Sequence, residues 1–203
     1  MPKCKLCHLK CAGKFCSPDH AYQWLSSPEG QKAKDRAAER RAKAKEREAK
    51  AKKIAYYRNQ LGWQHEQTKL AFNKMRKLEE FVWFKERGIE PYCISCLKTN
   101  MDWCCSHFKS VGSSGALRYE PLNTYLACNA RCNKALSGNI NGNSSTIGFI
   151  KGLAHRFGEE EAQRRLNWLE AHQSAIRKWT CGELEEMRKG FNERIRQLQK
   201  ELS

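Results

Sequence analysis

The sequence predicts an α+β protein: a small cysteine-braced core with long helical flanks and a separate cysteine-rich knuckle at the N-terminus. Three observations carry this. Four of the eleven cysteines fall in residues 1–26 and six in residues 91–148. A stretch without Gly or Pro, residues 31–61, lies between them and is built from Ala, Lys, Arg and Glu. After residue 148, apolar residues recur at steps of three and four, the period of a helix with one buried face. Charged residues make up 30% of the 203 and hydrophobic ones 40%. Mean hydropathy is −0.81. Part of such a chain is a solvated extension, which disfavours a large single-core metabolic enzyme. The surplus of 38 Lys+Arg over 22 Asp+Glu, net +16, attracts a polyanion. No apolar run reaches the ~18 residues of a membrane span. The opening MPKCKLCHLK has no apolar signal region. Cysteines in an unsecreted chain read as metal ligands rather than disulfides.

The elements follow in order. Residues 1–26 are too few to bury a core of their own. They carry Cys4 and Cys7 as C-x2-C, then Cys16 and His20 in FCSPDH. Four soft donors of this kind close a structural Zn²⁺ site. His8 and Cys11 are the alternative donors, and His8 is disfavoured because it directly follows Cys7. Residues 27–62 form a basic helical arm. Between Gln31 and Arg58, twelve basic and four acidic residues give +8, half of the whole surplus. Basic residues on all sides leave no core-facing stripe. The arm is therefore a solvated linker, a tracker of DNA phosphates, or both, with Arg40, Arg41, Lys43, Lys45, Lys52 and Lys53 as the candidate contacts.

Residues 63–90 form an amphipathic helix through Leu70, Phe72, Met75, Leu78 and Val82, ending near Gly88 before Pro91. Residues 91–148 read as loops and hairpins around a site. Helix returns over 149–203, with a break at Gly158. Thr180 and Glu183 have capping-box spacing and open the last helix. Its stripe of Leu184, Met187, Phe191, Ile195, Leu198 and Leu202 packs within the chain or forms a dimer.

The 91–148 segment concentrates the chemistry. Cys93 and Cys96 form a second C-x2-C, and Cys128 and Cys132 a C-x3-C, a second zinc set. About two zinc ions per chain are expected. Between and after these pairs come His107, Asn123 and Asn133. That order resembles the ββα-metal, or HNH, nuclease pattern. There a neutral imidazole takes a proton from water. An Asn side chain or a carbonyl holds the other ring nitrogen and fixes the tautomer. A hard divalent ion, Mg²⁺ or Mn²⁺, neutralises charge on the phosphate and the leaving oxygen. His107, Asn123 and Asn133 are the catalytic candidates. A scaffold of zinc-finger type with an incidental His is the competing view of the same spacing.

The chain resembles the NinG (Rap) recombination-protein family of lambda-like phages. FCSPDH, PYCISC, SHF around His107, LRYEPLN around Asn123, and the run from Cys132 to Asn139 carry the resemblance, with FGEEEAQ and WTCGELEEMR further on. It spans nearly the full length. It implies a divalent-metal-dependent, structure-directed endonuclease with an HNH-like core. The implied substrates are branched double-stranded DNA, D-loops and Holliday junctions. The implied setting is the host cytoplasm, with phage recombination proteins as partners and no membrane. The chain departs from the pattern at three places. His20 stands where a cysteine is expected. The last pair is C-x3-C rather than C-x2-C. No acid directly precedes His107, the nearest being Asp102. The divalent ion would then rest on Asn133 and Asp102 with waters.

Arg118 is a candidate phosphate clamp, with Lys109, Lys134 and Asn139 as similar candidates. His65, His155 and His172 lack ligand spacing and read as surface or packing residues. The tryptophans Trp63, Trp83, Trp103, Trp168 and Trp179 read as packing groups. Two non-enzymatic alternatives compete: a zinc-containing DNA-binding protein on an HNH-like scaffold, and an adaptor for recombination proteins.

Overall fold

The computed structural model describes residues 1–112, 114–134 and 140–203. It consists of two compact units, Met1–Tyr57 and Arg58–Ser203. The first unit opens on a tight turn closed by a Lys3–Lys10 bridge. Helix α1, Pro18–Ser26, follows, with Ser17 as its N-cap and Pro18 in its first turn. Ser27 ends α1 and begins α2. Its Oγ donates to Trp24 O at 2.7 Å and accepts from Gly30 N at 3.2 Å. Gly30 is required there, because a Cβ would sit 1.9 Å from Trp24 O. Helix α2, Pro28–Tyr57, buries only Gly30. This agrees with a sequence that offers the arm no apolar stripe.

The second unit opens with α3, Leu61–Glu86. Strands β1, Trp103–His107, and β2, Thr124–Cys128, form one antiparallel pair, with Trp103 opposite Cys128 and His107 opposite Thr124. A single π-helical turn, Asn129–Asn133, follows β2 and packs on both strands. Helices α4, Phe149–Phe157, and α5, Glu159–His172, meet at Gly158, whose φ of +84° suits glycine. Helix α6, Cys181–Leu202, starts on a capping box of Thr180 and Glu183.

Two cores hold this unit. Ile94, Phe108, Tyr125, Phe149, Leu153 and Leu169 pack the hairpin against α4 and α5. Phe72, Met75, Val82, Leu184, Ile195 and Leu198 pack α3 against α6. The stripe of the last helix is thus covered within the chain. Trp103 and Trp168 pack on the first core and Trp179 on the second. Among the described residues no helix is long and apolar enough to cross a membrane.

Candidate metal centres and the His107 site

The two cysteine sets are built on one plan. In each, a C-x2-C turn supplies two thiols. Cys4 N donates to Leu9 O at 2.8 Å and Cys93 N to Lys98 O at 3.0 Å. His8 N returns to Cys4 O, and Leu97 N to Cys93 O, both at 2.9 Å. The residue after the second cysteine turns left-handed in both, at φ 60° for His8 and 58° for Leu97. A bridge closes each turn, Lys3–Lys10 and Tyr92–Thr99. The second pair in each set has x3 spacing across the start of a helical turn: Cys16 precedes α1 and His20 lies in it, and Cys128 caps the π turn and Cys132 lies in it. The C-x3-C spacing is therefore the chain's own repeat of its N-terminal site.

The donor atoms of Cys4, Cys7, Cys16 and His20 all lie within 4.8 Å of one another, as do those of Cys93, Cys96, Cys128 and Cys132. Tetrahedral zinc with Zn–S near 2.3 Å sets its sulfurs about 3.8 Å apart. The observed Cys7–Cys16 and Cys96–Cys128 separations are 3.6 and 4.0 Å. Both sets fit zinc, one as Cys₃His and one as Cys₄. The N–H of Cys7 points at the Cys4 sulfur and, against burial, holds its thiol down at about 5. Burial resists ionisation of Cys128, while N–H and thiol donors, the Cys132 N–H foremost, lower it on balance. His8 is exposed, and the Cys11 thiol turns to Gly13 O at 2.9 Å, so neither joins the first set. Burial pushes Cys104 and Cys105 up to about 12, and neither thiol is placed among the donors of the second set.

His107 ends β1 at the edge of the hairpin remote from the cysteines. Its Nε2 donates to Arg118 O at 3.0 Å. Nδ1 then keeps the lone pair. Burial lowers the His107 pKa. The carbonyl bond opposes this, and the positive charges of Arg118 and Lys69 add to the lowering. Phe72 packs on the imidazole, ring centroids 6.2 Å apart. Phe72 and Lys69 sit one helical turn apart on α3, so this face of α3 forms a wall beside His107.

Asn123 does not touch the imidazole. Fully buried, it accepts from Lys109 N at 2.7 Å and donates to Lys109 O at 3.0 Å and Leu117 O at 3.1 Å. It ties the start and end of the β1–β2 loop together, next to the carbonyl that holds His107. The ring is oriented by a main-chain carbonyl, and Asn123 positions that carbonyl.

The other predicted residues are dispersed. Asp102 precedes β1 and accepts from Asn129 Nδ2 at 3.1 Å. It stands five residues of extended chain from His107, about 16 Å. Asn133 ends the π turn, half-buried. Lys109 faces Glu170 at 3.7 Å. Arg118 is half-buried beside His107 and His65. Lys134 is exposed, and Asn139 lies outside the described residues. On α2, Arg40, Arg41, Lys43, Lys45, Lys52 and Lys53 are all exposed, with Lys43 paired to Glu39 and Lys52 to Glu48. His65 bonds Tyr119 Oη at 3.0 Å.

Sequence reasoning missed one buried charge cluster. Glu80 of α3 accepts from Arg156 of α4, from Leu126 N of β2 at 2.9 Å and from Arg76 at 3.2 Å. Arg156 sits among the rings of Phe84, Tyr92 and Trp83. Arg76 also bonds Thr124 O at 3.0 Å. These bonds fasten the hairpin to α3 and α4. The available signal was an acid set one turn beyond Arg76, on the helix face that also carries Phe72.

Residues 1–201 match the family model described as Bacteriophage Lambda NinG protein. No curated protein and no solved structure matches the chain.

Proposed function

The chain belongs to the NinG family, and on that premise we propose that it is a structure-directed endonuclease acting on branched recombination intermediates such as D-loops and Holliday junctions. One observation supports this above the others: a histidine whose tautomer is held by a carbonyl and whose pKa is lowered, with cations beside it. A neutral imidazole with a free Nδ1 lone pair can take a proton from water near pH 7. Arg118 and Lys69 stand where a scissile phosphate would need countercharge. The zinc sets brace the hairpin and the N-terminal knuckle, and the +8 arm supplies salt-dependent affinity for DNA.

Asp102 does not share a preassembled Mg²⁺ or Mn²⁺ site with His107. Asp102 lies at the far end of β1 from His107. Among the described residues the two cysteine sets are the only groups of three or more His, Cys, Asp or Glu whose donor atoms all lie within 4.8 Å of one another. The second reading is a non-enzymatic zinc-containing DNA-binding or adaptor protein, which the two zinc-type donor sets support equally well.

The deciding assay incubates wild type and His107→Ala with a four-way junction, a D-loop and linear duplex, with Mg²⁺ or Mn²⁺ added. The nuclease reading expects wild type to cut the branched substrates. It expects His107→Ala to lose ~10²–10⁴ in rate while still binding the junction. If wild type cuts nothing with either ion, the second reading replaces the first. Equal cutting by His107→Ala would move the active site elsewhere.

A further inference from the structure

A cleft of about 510 Å³ opens beside the second cysteine set. One wall carries Lys98 of the second C-x2-C turn with Arg131 and Lys134 after β2, and the facing loop presents Asn143, Ser145 and Thr146. Among the described residues no Asp or Glu lines it. Several cations of this unit are matched with acids, Lys69 with Glu66, Lys109 with Glu170, Arg156 with Glu80, Arg164 and Arg165 with Glu161, while others scattered on its surface, such as Lys74, Lys178 and Lys200, are exposed. Lys98, Arg131 and Lys134 enter no such pair among the described residues. We infer that this cleft binds a backbone phosphate of DNA.

Two features preorganise it. Cys96 and Cys132 line the same wall, so a metal held by the second set would also fix the backbone bearing the three cations. The facing loop is tied down as well. Asn143 N donates to Thr146 O at 2.9 Å, Asn143 Oδ1 accepts from Ser145 N at 2.8 Å, and Gly148 N donates to Ser95 O at 3.1 Å. A Cβ on Gly148 would lie 2.2 Å from Gly142 N, so the loop ends meet at a distance only glycine allows. Charges on rigid walls bind an anion with little ordering cost.

The competing role for these cations is to screen the thiolates. Four thiolates around one Zn²⁺ carry a net charge of about −2. Three cations exceed that, and Lys151 adds a fourth at the adjoining cleft lined by the same loop.

The cleft stands at the Trp103–Cys128 end of the hairpin, four residue steps from the His107–Thr124 pair. That is about 13 Å along the strands, near the axial rise of about four nucleotides in duplex DNA. This spacing rests on the nuclease reading; the cleft does not.

The test is a binding titration of the full chain on a four-way junction, followed by fluorescence anisotropy over a range of salt. The triple variant Lys98→Ala, Arg131→Ala, Lys134→Ala is compared with Lys74→Ala, Lys178→Ala, Lys200→Ala, three exposed lysines with the same charge loss. The slope of log K against log salt should fall by at least about 1 in the cleft variant, and by clearly less in the control. Equal falls in both overturn the proposal, since charge alone would then explain binding. A loss of zinc with an unchanged slope also overturns it, because the cations would only screen the thiolates. Where the triple variant fails to fold, Lys134→Glu is compared with Lys178→Glu, and equal weakening of the two sinks the idea. None of these readouts needs cleavage, so they hold whether or not the chain cuts DNA.

Discussion

The His107 imidazole donates through Nε2 to the Arg118 carbonyl at 3.0 Å. Burial and the neighbouring charges of Arg118 and Lys69 outweigh that bond and lower the pKa of the ring. A base with a lowered pKa stays deprotonated further into acid. On the nuclease reading, cleavage should therefore hold through pH 6.5, the ordinary histidine value, and be lost as pH falls through the lowered one. A rate–pH profile at fixed salt and metal reads this directly. An acid limb centred above 6.5 contradicts the assignment.

The buried Asn123 side chain makes three hydrogen bonds to the backbone and none to His107. Asn123→Ala leaves one donor and two acceptors without partners. It should cost about 2–4 kcal/mol and lower Tm by roughly 5–15 °C. Asn123→Asp keeps one acceptor but turns a second toward two carbonyls, so it should be no milder. His107→Ala should leave Tm nearly unchanged. Thermal melts of the three variants separate the two roles: an Asn123→Ala protein that melts like wild type yet does not cut would restore a direct catalytic part for Asn123.

The zinc sites should release metal at different rates. Cys16 is exposed and Cys7 half-buried in the first set, whereas Cys93, Cys128 and Cys132 are buried in the second. With two zinc ions per chain, a chelating dye should report a fast phase and a slow phase of equal size. Cys16→Ser should remove the fast phase and Cys132→Ser the slow one. His20→Cys should keep both. A chain purified without added zinc that folds metal-free would sink the zinc assignment altogether.

Why some of this could be read from the sequence and some could not has a physical basis. Metal sites are spelled locally, because a C-x2-C turn needs only four residues to bring two sulfurs together. Helix ends are local too. Thr180 with Glu183, and Gly158 between two apolar runs, state their own geometry. The role of Asn123 was illegible because an amide satisfies a ring nitrogen or a backbone pair equally well. Only the loop's path decides between them. Asp102 shows a related effect: proximity to His107 in sequence becomes distance in an extended strand. Arg156 and Glu80 meet across 76 residues, which no periodicity in either helix announces.

The arm offers a separate test. Every residue of α2 named as a phosphate contact is exposed, and α2 buries only Gly30. Deleting Gln31 to Lys53 should flatten the salt dependence of junction binding. Zinc content should stay at two per chain, because neither ligand set draws on those residues. An unchanged salt slope would make the arm a spacer.

The Glu80–Arg156 pair allows the sharpest stability prediction. Both side chains are buried, and Glu80 also caps the Leu126 N–H, which faces α3 from β2. Glu80→Ala strands the Arg156 charge among Phe84, Tyr92 and Trp83 and leaves that N–H unpaired. Breaking one side of a buried pair costs about 3–5 kcal/mol. Replacing both, as in Glu80→Leu with Arg156→Met, removes the stranded charge and should recover most of that loss, less the unmet N–H. Urea unfolding of Glu80→Leu, Arg156→Met and the double variant gives the coupling energy. Additive losses would mean that the two charges do not depend on each other. The hairpin would then be held to α3 mainly by the Arg76 bonds to Thr124 and by apolar packing.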